Sequence, residues 1–388
     1  MVFRPFKIPR FDLAPRSTEQ PVELPRGHIP ALDAIRGLAI VLVTLYRFGG
    51  GGDGPARCIE RHWFTALGSH GVDLFFVLSG FLITGILFDA KGRECYFRNF
   101  YMRRALRIFP LYYGAVALTI FALPLVSTAL AAACQPAIEH QAWLWLYGAN
   151  VVQAVTGSWP LGPLDHFWSL AIEEHFYLVW PAVIYFLSRT AALRICGALF
   201  AASVLARTVW LVTGGNDVAA EVFTLLRMDG LVLGSWLALA ARRPGGLAAL
   251  HPWAAPAVVL FGLIALSADI LGRRLLGLPL AAWALACGAL LVLTVAASPQ
   301  SLIGRLGNAR TLRFFGKYSY AMYVFQLPLV YVLAPLVTAA GLAQVLGGSV
   351  FGQAAYCAIL FLATTLIAVI SWHVFEKRFL SLKHRFGG

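Results

Sequence analysis

The sequence predicts an all-α, polytopic membrane helical bundle of about ten transmembrane helices with both termini in the cytoplasm. Three observations carry this. Hydrophobic residues fill 59% of the 388 positions and charged residues only 13%, a composition foreign to soluble domains. Apolar runs of roughly 17 to 25 residues, long enough to cross a hydrocarbon core, recur along the chain, and backbone in lipid must bond within itself, so each run is helical. The basic residues gather in alternate loops, as short cytoplasmic loops require.

The runs begin near Leu32, Leu67, Leu106, Leu170, Leu193, Phe223, Trp253, Leu278, Tyr318 and Gln353. Ahead of them, residues 1–30 are rich in Pro and Arg and lack an apolar region with a small-residue cleavage site, so they read as a flexible basic cytoplasmic tail. Residues 31–380 form a single transmembrane domain, and 381–388 a second short basic tail. One further apolar run, Trp143 to Val155, is short and carries Asn150 and Gln153, which suits a re-entrant or interfacial segment.

Leaving that run out of the count puts the basic segments on one side. These are Arg4 to Arg26, Lys91 to Arg107, Arg189 to Arg194, Arg242 with Arg243, Arg305 to Lys317, and Lys377 to Arg385. The external exceptions are Arg57, Arg61, Arg273 and Arg274. The net charge of +13 therefore reflects orientation and contact with anionic lipid, not a nucleic-acid footprint. Six cysteines without CxxC spacing give no metal site. Cys58 and Cys134 fall in external loops, where an oxidising compartment would let them pair. No internal repeat of the kind built into two-halved transporters is visible.

Against this background, charge inside a span is expensive and marks function. The head of the fourth run reads Phe167-Trp168-Ser169-Leu170-Ala171-Ile172-Glu173-Glu174-His175-Phe176-Tyr177, with His166 just before it. Glu173 and Glu174 point about 100° apart on a helix, so only one is expected to face the bundle interior. Where the second run meets the third, Arg103, Arg104 and Arg107 have helical spacing and form a cationic face at the cytoplasmic surface, which suits phosphates or ordinary anchoring. Guanidinium forks favour phosphates because they bond two oxygens at once. Arg227 and Asp229 lie two apart within one run, do not face each other on a helix, and are each expected to pair across the bundle.

Several stretches, in order, resemble the signature series of the membrane acyltransferase-3 family. They are Leu32 to Ala39, Gly71 to Ile83, the Arg-rich segment ending Ile108-Phe109-Pro110, His166 to Tyr177, and Lys317 to Tyr323, with Phe375 to Phe379 similar to the family's ending. The resemblance covers nearly the whole chain. It implies an integral membrane O-acyltransferase of the bacterial inner (plasma) membrane, moving an acyl group, usually acetyl, from cytoplasmic acyl-CoA to a hydroxyl of a glycan or related acceptor on the outer side.

By that resemblance Arg104 and Arg107, with Arg103 beside them, hold CoA phosphates, and Arg36 in the first span organises the channel. A hydroxyl attacking a thioester needs a base and oxyanion donors. Glu173, His166 and His70 are the candidate bases, with Glu173 the inward carboxylate. Arg47, Asp73, Trp168, Arg227 and Asp229 are candidate substrate contacts.

The chain departs from the family in one respect. Relatives place a histidine near the end of the first span, where this chain reads Val43-Thr44-Leu45-Tyr46-Arg47-Phe48, and many carry another where Gln326 stands. A guanidinium cannot serve as a base at working pH. Three readings follow. Another group supplies the base while Arg47 binds an anionic acyl group or acceptor; or positioning alone drives transfer; or the chain is a non-catalytic pseudoenzyme, a transporter or receptor on the same scaffold.

Overall fold

A computed structural model describes residues 29–49, 67–270 and 277–386, and every regular element among them is helical. Ten helices follow the ten expected runs. They are α1 Pro30–Phe48, α2 Gly71–Asp89, α3 Tyr96–Ala117, α4 Trp168–Phe186, α5 Arg189–Val212, α6 Asp229–Ala240, α7 His251–Ile270, α8 Leu278–Val295, α9 Arg310–Leu333 and α10 Ser349–Ser371. The tail 1–28, Cys58, Arg57, Arg61, Arg273 and Arg274 lie outside the described residues.

Six of these stretches, those of α2, α3, α5, α7, α8 and α10, are long and apolar enough to cross a membrane, which makes the chain an integral membrane protein. The other four are diluted by the site's own charges or are short: α1 carries Arg36 and Arg47, α4 carries Glu173 and Glu174, α9 carries Lys317, and α6 has 12 residues. Charge was the reason to suspect these helices of function, and charge is what weakens their membrane signature.

Burial separates centre from rim. The apolar window of α2 is 72% buried and that of α7 only 11%, so α2 is the central post and α7 a lipid-facing edge. Two glycine crossings draw the centre together. On α1 and α9, a Cβ at Gly37 would sit on the carbonyl oxygen of Leu312, and one at Gly316 on that of Asp33. On α2 and α6 the same holds for Gly80 with Leu231 and Gly234 with Val77. Backbones touch here because no side chain intervenes, the usual way for helices to gain contact in lipid, where apolar burial drives little.

The run Trp143 to Val155 does not span. It folds as two short helices, Gln141–Trp145 and Ala149–Thr156, tied down by side chains. The Tyr112 hydroxyl donates to the Leu144 carbonyl at 2.8 Å, and the Asn150 amide donates to Val222 O at 3.2 Å and Thr224 Oγ1 at 2.9 Å.

Candidate active site

At the basic end of the bundle α1, α2, α3, α4 and α9 enclose a cavity of about 730 Å³, counting its open mouth. Arg36, Arg104, Arg107, Glu173, Glu174 and Tyr177 line it, and Ser79, Ser169, Tyr320 and Tyr323 carry the lining deeper. The three arginines lie within electrostatic reach of one another. Helical spacing on α3 turns Arg104 and Arg107 to the same side, and Arg36 reaches them from α1, held at 3.6 Å from Asp33. The Arg104 guanidinium stacks 4.9 Å above the Tyr177 ring. After α10 the chain continues helically along α3 and brings Lys383 within electrostatic reach of Arg36, Arg103, Arg104 and Arg107.

Deeper in, Glu173 Oε1 accepts a hydrogen bond from Ser79 Oγ at 2.7 Å, with Arg104 and Arg36 within electrostatic reach of the same carboxylate. The Tyr323 hydroxyl donates to the His166 carbonyl at 2.8 Å and also meets Ser169 Oγ. His166 is 1% exposed, and its Nε2 lies 3.3 Å from Val324 O. That bond assigns the proton to Nε2 and leaves the Nδ1 lone pair free, and Nδ1 has no protein partner.

The structure thus gathers Arg36, Arg104, Arg107 and Glu173 around one cavity, with His166 immediately behind its Ser169–Tyr323 wall. Arg103, one turn from Arg107, is exposed and does not line the cavity. Trp168 packs edge-on against Phe76, 6.1 Å between ring centres, and does not line the cavity. One expectation needs correcting: Glu173 and Glu174 both line the cavity, because it wraps round the side of α4 and meets two faces of the helix. His175 turns away and hydrogen-bonds Thr224 Oγ1 at 2.8 Å. Ser79, Tyr177, Tyr320, Tyr323 and Lys383 were not singled out in the sequence; the hydroxyl residues do stand inside the quoted motif stretches, which was the available signal.

His70, Asp73, Arg227 and Asp229 form a different assembly. Asp73 accepts from His70 Nδ1 at 3.0 Å and forms an ion pair with Arg227 Nη2 at 2.6 Å, and Asp229 meets Arg207 Nη2 at 2.8 Å and Arg227 Nη1 at 3.5 Å. His70 also stacks on Trp283 at 4.3 Å. The Arg227–Asp229 contact departs from expectation, since residues two apart on a continuous helix diverge. The helix breaks at Met228, between Thr224–Arg227 and α6, and the break turns the two side chains together. Arg207, buried on α5 and also donating to Leu226 O and Gly277 O, was missed, although an arginine in a lipid-like run is itself a signal. All four charged members of this chain, Asp73, Arg207, Arg227 and Asp229, are at most 3% exposed, and such charges survive in an apolar bundle only when paired. None of them lines the cavity.

The fold and site define a polytopic helical membrane protein with a cationic, hydroxyl-lined cavity opening at one end of the bundle. A family model described as an acyltransferase domain matches residues 29–373, and the chain belongs to that family. Among similar proteins are a putative peptidoglycan O-acetyltransferase, YrhL, of Bacillus subtilis, 28% identical over 379 residues covering 90% of this chain and 54% of that one. Peptidoglycan O-acetyltransferase OatA of Listeria monocytogenes is 28% identical over 334 residues, covering 80% of this chain and 51% of its own length. O-acetyltransferase OatA of Staphylococcus aureus is 27% identical over 331 residues, covering 78% and 51%. The chain thus spans about half the length of these curated relatives. No solved structure matches it.

Proposed function

We propose that the chain is a membrane O-acyltransferase that moves an acetyl group from cytoplasmic acyl-CoA to a hydroxyl of a glycan; O-acetyl transfer to peptidoglycan is what the names of two of its relatives describe for them. The observation that carries this reading is one cavity holding three arginines at its mouth and a hydrogen-bonded carboxylate within. Arg36, Arg104 and Arg107 bind the donor's phosphates, for which guanidinium forks are suited. The positive-inside distribution of the loops puts that mouth, with both termini, on the cytoplasmic side of a bacterial inner membrane. Residues 31–380 act as one transmembrane domain flanked by two basic tails.

In the transfer step the acceptor hydroxyl attacks the thioester carbonyl. Its proton goes to Glu173, held by Ser79, or to His166 through the free Nδ1, and as the new ester forms the thioester C–S bond breaks and CoA leaves as the thiol, taking the proton from that base. The hydroxyl of Tyr177 on the cavity wall is the candidate donor to the oxyanion, while the single Tyr323 proton stays on the His166 carbonyl. His70 keeps a positioning role, since its ring is committed to Asp73 and Trp283.

The test is release of CoA thiol by the purified full-length protein with acetyl-CoA and a soluble peptidoglycan fragment. Release that needs the acceptor supports the reading. Absence of both acetyl-CoA binding and thiol release sinks it, and binding without release under every acceptor points to a pseudoenzyme.

A further inference from the structure

Behind the Ser169–Tyr323 wall lies a second group of polar atoms with no hydrogen-bond partner among the described residues. Gln326 is fully buried, at 0% exposure, and neither Oε1 nor Nε2 has a partner. Thr44 Oγ1, Arg47 Nε and His166 Nδ1 are likewise buried and unbonded. Helix geometry brings them to one level. α1 and α9 cross at Gly37 and Gly316 and run in the same direction, since Ile40 and Val43 pack in one cluster with Tyr318 to Val324, and Phe48 in another with Leu327 and Val330. Arg47 and Gln326 each stand ten residues past their glycine, roughly 15 Å along the axis at 1.5 Å per residue.

Arg47 lies within electrostatic reach of His166 and Tyr323, which ties it to the same place. The carboxylate within its electrostatic reach is spent elsewhere: Asp165 Oδ1 accepts from Leu161 N at 2.8 Å and Gln153 Nε2 at 3.3 Å and makes no ion pair with Arg47 among the described residues. A buried polar group without a partner loses its bonds to water and gains none in return, so it is costly to keep. A guanidinium, a carboxamide, a hydroxyl and an imidazole lone pair all unbonded at one level, next to a substrate cavity, therefore describe a site built for a ligand.

We propose that Arg47, Gln326 and Thr44 form a carboxylate-recognition site behind the Ser169–Tyr323 wall of the cavity, for a carboxylate borne by one of the two reacting substrates, with His166 Nδ1 beside it to receive the hydroxyl. The inference rests on the acyltransferase reading and makes it more specific. The guanidinium and the Gln326 amide donate to the carboxylate oxygens, and Gln326 Oε1 takes a neighbouring hydroxyl. The carboxylate comes either from a dicarboxylic acyl group on the donor or from an acidic sugar as acceptor.

Full-length protein in lipid nanodiscs separates these sources by paired titrations. The donor arm compares succinyl-CoA with acetyl-CoA; the acceptor arm compares N-acetylmuramic acid, which carries a carboxylate, with neutral N-acetylglucosamine. The charged member of one pair is expected to bind about tenfold tighter. Arg47→Gln brings that ratio close to one. Gln326→Leu, which keeps the charge, lowers the ratio several-fold and carries the test if Arg47→Gln does not fold. A response in the donor arm alone assigns the site to the acyl group, and one in the acceptor arm alone assigns it to the sugar. Equal binding of charged and neutral members in both arms overturns the site. Failure of wild type to bind acetyl-CoA overturns the donor reading instead, and the acceptor arm still tests this one.

Discussion

The Tyr323 hydroxyl touches Ser169 and the His166 carbonyl at once, so a single side chain from α9 both lines the cavity and fixes the histidine behind it. Removing that hydroxyl in Tyr323→Phe leaves the His166 carbonyl short of a donor and frees the ring to drift. Transfer is expected to fall about tenfold with donor affinity unchanged, since a misaligned proton acceptor affects the chemical step more than binding. Comparing kcat with KM for acetyl-CoA checks it; a rise in KM alone would refute this role.

Arg104 stacks on Tyr177 at the mouth, where donor phosphates would sit. Arg104→Ala should weaken acetyl-CoA binding by at least tenfold, the scale of a charge-assisted hydrogen bond of about 1.5–3 kcal/mol. Arg103→Ala, on the exposed face, should change it less than twofold. Equal effects from the two would mean the arginines act only as membrane anchors.

Glu173→Gln keeps shape and the bond from Ser79 but cannot take a proton. If Glu173 is the base, transfer drops by about 10²–10⁴ while acetyl-CoA still binds. If His166 is the base, the loss stays near tenfold and His166→Gln shows the large one.

The ion chain from His70 to Arg207 predicts a stability effect. Asp229→Asn leaves Arg207 with an uncompensated buried charge, expected to cost about 3–5 kcal/mol. The double change Arg207→Met with Asp229→Leu should be milder than either single one. Thermal unfolding in detergent compares the three, and additive losses would argue against a coupled pair.

Gly37→Val drives a side chain into the Leu312 carbonyl and must part α1 from α9. Overpacking of this kind costs about 1–3 kcal/mol or more, so the midpoint of thermal unfolding should fall by several degrees. Gly197→Val, where a Cβ meets nothing, is the control and should leave it unchanged.

Much of this was legible in the sequence because a bilayer makes charge conspicuous. The ten runs, the short segment at Trp143, and the arginines and carboxylates at Arg36, Arg104, Arg107 and Glu173 all stood out as costs needing a reason. Ser79, Tyr320 and Tyr323 did not, since a hydroxyl on an apolar helix is cheap and common. The pairing of Asp73 with Arg227 was out of reach because it spans two distant helices. The contact of Arg227 with Asp229 was hidden for another reason: it depends on a break at Met228 that no Gly or Pro announces. Gln326 was visible only as a departure from a pattern, and its isolation is a tertiary fact.

The glycine crossing of α1 and α9 is a fulcrum. Two helices in backbone contact at one point can rock about it far more easily than they can slide. Arg36 sits beside the pivot, whereas Arg47 and Gln326 sit roughly 15 Å out along separate lever arms. A rotation of about 5° would shift each far residue by roughly 1.3 Å over that arm and leave Arg36 where it was. The end of the bundle that carries Arg36 is therefore the stationary one, and the separation of Arg47 from Gln326 is what a rocking of the two helices would change.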